Sequence, residues 1–328
     1  MSRSGLFFAA KLLFGLALLA VLLLRGDTWA ETAAVLGGLD LAGLILVLAM
    51  PVPLIWASCL KWQLLLDYRG IRVTIPPLMR YYTVGYWFNN FLPSSLGGDA
   101  ARSYLVGKRI GSQSESLAAV VLERLTGLVT LVALAILGFI ATPRVQDDPV
   151  VVAALAIMAG GCLALSLIIW APGPFQRIGT GSVTGSGLIG RLAGAAGRVR
   201  GAMQSFWGAP RVITLAAAYS FGYHALTIVN VYVASRALGI DVGFAGLCAV
   251  TPIILVLAAL PTTPGSIGVW EWAYSVLLMP IGAELEQGLA IALVLRGQLL
   301  FTSLVGGVLY VAEKRPLAVA AQSDETHG

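Results

Sequence analysis

Six charged residues stand inside or beside apolar stretches of this chain: Asp99, Arg102, Glu123, Arg124, Glu271 and Arg296. A charge at the centre of a bilayer costs roughly 2.5–3.5 kcal/mol even on the lenient insertion scale. Such groups therefore face an interior and pair, or they do chemistry. Arg side chains hold phosphate through bidentate hydrogen bonds, and Asp and Glu orient them or exchange protons. Asp99 and Arg102 sit three apart and so share one face of a helical turn. Neighbouring Glu123 and Arg124 point about 100° apart, so each needs a partner on another element. The competing reading is structural, with buried ion pairs fixing helix register or side chains snorkelling to the interface. Asn89 and Asn90 stand ready either to bind a headgroup or to cap a helix. No nucleophile constellation and no His/Cys metal cluster accompanies these groups, so no catalytic residue, metal or cofactor is assigned.

The elements that position them are broken twice in the same way. Leu92-Pro93-Ser94-Ser95-Leu96-Gly97 precedes Gly98, Asp99 and Arg102. Leu260-Pro261-Thr262-Thr263-Pro264-Gly265 precedes Gly268 and Glu271. Pro removes a backbone donor and Gly weakens a helix, so each block interrupts a helical stretch. Inside a membrane a break survives only where protein or a water-filled cavity satisfies the freed backbone groups. Paired breaks in two halves of a membrane protein are the best sequence pointer to a transport site.

Composition puts these breaks in a membrane. Only 11% of residues are charged and 58% are hydrophobic, with mean hydropathy +0.86, against about 25% charged in ordinary soluble domains. The expectation is an all-α integral membrane protein with about six full spans, over 6–24, 40–60, 117–141, 150–171, 212–235 and 288–312. Two broken or re-entrant stretches, 82–105 and 244–282, complete it. The first apolar run reads as a retained helix rather than a signal peptide, because the only cleavage-like site, near Ala30, lies beyond Arg25 and Asp27. Cys59, Cys162 and Cys248 read as free thiols in apolar surroundings.

With the N-terminus inside, cytoplasm-facing regions hold 16 of the 21 Lys and Arg residues, Lys61 and Arg102 among them. Outward regions hold Arg25, Arg144 and Arg236, and Arg124 and Arg296 fall within spans. The positive-inside rule therefore predicts N-in, C-in topology in a cytoplasmic (inner) membrane. The first break then enters from the cytoplasm and the second from outside, the geometry of an inverted repeat with halves near 40–141 and 212–312. A single membrane domain covers 1–312, and the polar tail 313–328 reads as disordered. Over 187–207, Leu188, Leu192, Val199, Met203 and Phe206 share one helical face opposite Arg191, Arg198 and Arg200, which predicts a basic amphipathic helix on the cytoplasmic interface. Tyr81, Tyr82, Tyr86, Trp87 and Phe88 read as an interfacial aromatic belt; for Trp270 and Trp272 a belt and a cavity lining compete. His224 reads as a helix–helix hydrogen-bond partner.

Phe88-Asn89-Asn90-Phe91-Leu92-Pro93, Gly97-Gly98-Asp99, Arg102, Glu123-Arg124, Pro261, Pro264-Gly265, Gly268 and Glu271 together resemble the lysylphosphatidylglycerol synthase transmembrane family, over residues 10–312. The resemblance implies transmembrane helices with re-entrant hairpins and lipid translocation. It does not imply aminoacyl transfer, because bifunctional members carry a soluble catalytic domain after the membrane region. Associations of relatives with glycolipid, hopanoid or cardiolipin pathways leave the transported lipid open.

The leading expectation is a flippase or scramblase for a phospholipid or lipid-linked anionic headgroup. Its substrate-binding or translocation residues are Asn89, Asn90, Pro93, Gly97, Gly98, Asp99, Arg102, Glu123, Arg124, Pro261, Pro264, Gly265, Gly268, Glu271 and Arg296. Arg102 and Arg124 would meet phosphate, and Asp99 and Glu271 would gate or couple to protons. Membrane lipids, mostly anionic, are the expected partners. Nucleic acid is not one, since no soluble basic module exists. No Gly-X-X-X-X-Gly-Lys-Ser/Thr motif is present, which argues against direct ATP drive by this chain. Two alternatives stay open: an intramembrane glycosyl or acyl transferase using Asp99 and Glu271 as acid and base, and a non-catalytic partner of a lipid-synthesis enzyme. Oligomeric state is not legible.

Overall fold

A computed structural model describes residues 3–24, 28–91, 97–170, 205–260 and 262–312. Among these the secondary structure is helical throughout, without strands. The helices are α1 (Arg3–Leu23), α2 (Thr28–Gly37), α3 (Leu41–Ala49), α4 (Pro51–Tyr68), α5 (Ile75–Phe91), α6 (Gly97–Ile110) and α7 (Gln113–Ala141). They continue as α8 (Pro143–Gln146), α9 (Pro149–Trp170), α10 (Pro210–Ala237), α11 (Phe244–Ala259), α12 (Val269–Leu277) and α13 (Leu285–Ala312).

Local sequence sets these boundaries. The Asp40 carboxylate accepts from Gly43 N at 2.6 Å and opens α3, as expected of an N-cap. Ser112 caps α7 through Glu115 N, and Asp148 accepts from Val150 and Val151 N ahead of Pro149. Pro51 stands at the first position of α4, where a missing N–H is cheapest.

The protein is a multi-pass membrane protein. Leu41–Tyr68 (α3 and α4 across Met50), Gln113–Ala141, Pro210–Ala237 and Leu285–Ala312 are each long and apolar enough to cross a bilayer. They cover the expected spans 40–60, 117–141, 212–235 and 288–312. The other two expected spans fall on α1 and α9. The first, 6–24, falls on α1, and Ala9–Leu23 meets α2 at a bend of 82°, so the two helices make at most one broken span. Over 150–171 stands α9, the 22-residue helix Pro149–Trp170, whose stretch Pro149–Ala164 is an apolar helix among the described residues.

Both expected breaks are helical hairpins. α5 packs on α6 across residues 92–96, and α11 packs on α12 across residues 260–268. The pairings of the two hairpins correspond. α6 lies on α7 as α12 lies on α13, while α5 packs on α13 and α11 packs on α7. Each hairpin thus contributes its first helix to the other half of the molecule. Close approaches make this exchange tight. A Cβ on Gly138 of α7 would stand 2.2 Å from Ala249 N of α11, and one on Gly306 of α13 would stand 2.1 Å from Thr83 O of α5.

Several expectations need correction or lie elsewhere. Lys61 and Arg102 are buried, so neither presents its charge at a membrane surface. The aromatic cluster makes contacts within the protein. Tyr81 is buried, Trp87 packs on Gly307 of α13, and Phe88 meets Tyr310 edge-on at 5.1 Å. These contacts arise because α5 packs against α4, α6 and α13. Most of the expected amphipathic helix and the whole tail 313–328 lie outside the described residues. At its end, Ser205–Gly208 is a short 3₁₀ turn whose Phe206 is buried against Tyr68, with ring centroids 5.0 Å apart. Cys59, Cys162 and Cys248 are free.

Candidate functional site

The first hairpin carries a charge network. The Asp99 carboxylate takes Arg102 Nε at 2.9 Å on its own helix and Arg124 Nε at 2.7 Å from α7. A second contact, from Arg124 Nη2 at 2.9 Å, makes the α6–α7 pair bidentate. Arg102 Nη1 reaches Glu123 at 2.7 Å. Glu123 and Arg124 are thus satisfied by neighbouring positions on α6, as their 100° divergence required. The Arg102 guanidinium also lies over the rings of Trp62 at 4.9 Å and Tyr82 at 4.5 Å. Its Nη2 stands 2.9 Å from the Asp99 carboxylate but makes no hydrogen bond, so two carboxylates and two aromatic faces hold the group with one nitrogen unspent.

Lys61 of α4 is a member that the sequence reading missed. Its Nζ stands 3.8 Å from the Glu123 carboxylate and donates to Ser220 Oγ of α10 at 3.1 Å. Ser220 in turn donates to Thr126 Oγ1 of α7. The signal was the apolar sequence beyond it. Trp62, Leu64, Leu65 and Leu66 carry α4 on to Tyr68, so Lys61 lies within the helix rather than at its end.

The second hairpin carries one pair. Arg296 of α13 donates to the Glu271 carboxylate of α12. Its Nη1 and Nη2 donate to the Gly265 and Ser266 carbonyls at 3.2 and 3.3 Å. The other Glu271 oxygen accepts from Gly268 N at 2.7 Å. Arg296 therefore closes the orphaned backbone of the break, the satisfaction a membrane requires. Gly268 has φ +83°, and a Cβ there would stand 2.0 Å from Gly15 O of α1, so no other residue fits. In the first hairpin Asn89 does the comparable work by accepting from Gly98 N at 2.7 Å. Gly98 also lies against Gly85, where a Cβ would meet a carbonyl at 2.2 Å.

The two sites correspond at four positions. Asp99–Arg124 and Glu271–Arg296 are each 25 residues apart. One constant shift carries Asp99 to Glu271, Ser103 to Ser275, Ser116 to Gly288 and Arg124 to Arg296. Ser116 Oγ donates to Ser103 O, and Gly288 lies against Ser275 backbone, so the packing at the mapped positions corresponds too.

Between them lie cavities of mixed polar and apolar lining, with Leu255 and Leu299 among the apolar residues. A cavity of about 250 Å³ is lined by both Arg124 and Arg296, with Asn89, Asn90, Tyr86, Trp270, Gly265 and Ser266. A second, of about 180 Å³, holds Asp99, Arg102, Gly98 and Tyr223. A third, of about 220 Å³, holds Asn230, Gln298, Thr227 and Thr302. Tyr86 lines all three, so they meet around its ring. The Arg124 side chain is 55% exposed, into this space, and Arg296 is 17% exposed. The carboxylates are withdrawn, with Asp99 at 11% and Glu123 and Glu271 at 4%.

Asn230 and Gln298 were also missed. Their amides pair reciprocally at 2.9 Å, and Gln298 Nε2 donates to Val47 O. Pro51 lacks the N–H that would bond this carbonyl, so Gln298 takes over its role. Trp270 lines the cavity, whereas Trp272 faces an apolar groove between α9 and α11. His224 is buried with Nε2 towards Gly127 of α7 and its ring edge-on to Tyr223. Pro93 and Pro261 lie outside the described residues. Of the other expected site residues, Asn89, Asn90, Gly98, Asp99, Arg102, Arg124, Gly265 and Arg296 line the joined cavity. Pro264, Gly268, Glu123 and Glu271 support it from behind, and Gly97 opens α6 as a buried residue.

The lysylphosphatidylglycerol synthase TM region matches residues 8–307. The chain belongs to this family. The family's membrane region thus takes in α5–α7 and α11–α13 with both broken hairpins. A "UPF0104 membrane protein" of Methanothermobacter thermautotrophicus is 23% identical over 249 residues, which is 69% of this chain and 69% of that protein. No group of three or more His, Cys, Asp or Glu able to hold a metal occurs among the described residues of this family member.

Proposed function

We propose that this member of the lysylphosphatidylglycerol synthase transmembrane family is a lipid translocator of the cytoplasmic membrane. Its two halves act as inverted repeats with both termini inside. The headgroup occupies the cavity around Tyr86 and the acyl chains stay in the bilayer. The observation that carries this reading is that Arg124 and Arg296, one from the helix that follows each hairpin, line the same cavity. Arg124 contacts the headgroup phosphate, because its guanidinium is half exposed there while Asp99 fixes its plane. Arg102, Glu123 and Lys61 are positioning residues that hold α4, α6 and α7 together. Glu271 and Arg296 act as the hinge of the second hairpin, because they bind its break directly.

Asp99 and Glu271 are engaged by guanidinium groups and largely withdrawn from the cavity, which favours translocation over acid–base transfer chemistry. A gate made of such pairs moves when a competing phosphate draws Arg124 from Asp99. The test is transbilayer movement of labelled lipids in proteoliposomes. Wild type should accelerate movement, and Arg124→Gln should abolish it while keeping its unfolding midpoint. Equal movement with wild type, with Arg124→Gln and with empty vesicles, across phosphatidylglycerol and glycolipid substrates, would sink the proposal.

A further inference from the structure

We infer that the apolar groove between α9 and α11 seats a single acyl chain of an outer-leaflet membrane lipid. This goes beyond the translocator reading and takes from it only which face is outer. The sequence builds the groove from two helical stripes. Val150, Ala153, Ala154 and Ile157 recur at helical spacing on α9, and Ile253, Val256, Leu257 and Leu260 do so on α11. Trp272 and Leu277 of α12 complete the wall. The small side chains of Ala153 and Ala154 leave open a space of about 480 Å³, and no charged side chain lines it.

The dimensions select a chain over a helix. From Pro149 to Met158 the groove follows α9 for about 13.5 Å of helix rise. A space of about 480 Å³ over that length is roughly 7 Å across, against about 10–12 Å for a helix with its side chains. A transmembrane helix of a second copy or of a partner is therefore too wide for it. The depth fits one leaflet. The groove starts beside Asp148, at the outer end of α9, and ends at Leu260, where α11 stops at the break. That run is close to the roughly 15 Å in half of a hydrocarbon core of about 30 Å. Its outer end opens on a second space, of about 340 Å³, which shares Val150 and Leu277 and is bordered by Asp148, Met279 and Pro280. Polar lining thus begins where the headgroup of an outer-leaflet lipid lies. Lipid tails are as apolar as the groove, so transfer from water does not drive occupancy. Dispersion contact with α9, α11 and α12 at once does. The seat also bears on the second hairpin. Trp270 lines the headgroup cavity and Trp272 the groove, with Glu271 between them tied to Arg296 and Gly268 N. A chain held against Trp272 braces α12.

The experiment places the full chain in liposomes of phosphatidylcholine and phosphatidylglycerol with a trace of phosphatidylcholine carrying a diazirine on one acyl chain. After irradiation, peptide mass spectrometry maps the adducts. They should concentrate on residues 150–158 and 253–260. A diazirine near the chain's carbonyl should mark Val150 and Leu277, and one near its methyl end should mark Leu260. Ala153→Trp, which fills the groove, should lower these adducts about tenfold; Ile157→Trp is the second variant should that protein not fold. Leu304→Trp, on an exposed apolar face of α13, should leave them unchanged. Adducts as dense around Leu304 as in the groove overturn the inference, because they report ordinary boundary lipid. The reverse order of depth overturns it by assigning the chain to the other leaflet. Near-complete disulfide linkage of two copies through Ile157→Cys overturns it by assigning the face to a second copy. The two readings fail separately. Localised adducts without transbilayer movement uphold the seat and sink translocation. Movement with scattered adducts does the reverse.

Discussion

The two broken hairpins hold an acid and an arginine in the same register, yet the pairs do different work. In the second hairpin the pair belongs to the break: Arg296 binds two of its carbonyls and Glu271 binds its Gly268 N–H. In the first, the break is tied by the neutral Asn89, and the pair opens into a network with Arg102, Glu123 and Lys61. The positions equivalent to Arg102 and Glu123 under the shift are Tyr274 and Leu295, both apolar core residues of the second half. One half therefore keeps the arginine as a fastener. The other surrounds it with enough countercharge that Arg124 is oriented while remaining half exposed. The same register therefore carries two arrangements, one that fastens its break and one that leaves its arginine half exposed in the cavity.

That division is tested most severely by Glu123→Ala. It leaves Lys61 and Arg102 buried without their shared anion, and should cost about 3–5 kcal/mol, read as a large fall in the unfolding midpoint. Arg296→Gln comes next, at about 3 kcal/mol, because a buried Glu271 and two loop carbonyls lose their partner. A loss restricted to transport, with full stability, would show that Arg296 is not a fastener. Glu271→Gln should cost less, about 1.5–3 kcal/mol, since the amide oxygen still caps Gly268 N while the charged bond to Arg296 goes; amide exchange should rise first over 262–271. Lys61→Met should cost only about 1 kcal/mol, because Arg102 still neutralises Glu123. Arg124→Gln should move the midpoint least, consistent with a half-exposed pair, yet it should remove transbilayer movement. If its effect on stability exceeds that of Arg296→Gln, the comparison between the hairpins is reversed.

Much of this was legible in one dimension. Local rules act over a few residues, yet the caps Asp40, Ser112 and Asp148 went unread as the starts of their helices. The Pro- and Gly-bearing blocks declared the hairpins, and the spacing of Asp99 and Arg102 declared their bond. Lys61 was misjudged because a cation after an apolar run reads as an interfacial anchor, and only the packing of α4 against α7 and α10 reveals it as interior. The internal contacts of Tyr82 and Tyr86 went unread for a related reason. Aromatic residues before a break suit a membrane interface equally well, until Arg102 is placed against one ring and the cavity against the other.

The sequence by itself determined that this chain is an all-helical membrane protein with two broken hairpins and charges that cannot face lipid. Those conclusions follow from hydropathy, from proline's missing N–H and from the cost of a bare charge in hydrocarbon, none of which needs a third dimension. Only the tertiary structure decided which acid meets which arginine, that α5 crosses to α13 and α11 to α7, and that Arg124 and Arg296 line one cavity. Those pairings join residues far apart in the chain, and helices of nearly uniform apolarity carry little information about which neighbour they will meet. Close packing at small residues such as Gly138 and Gly306 makes that choice.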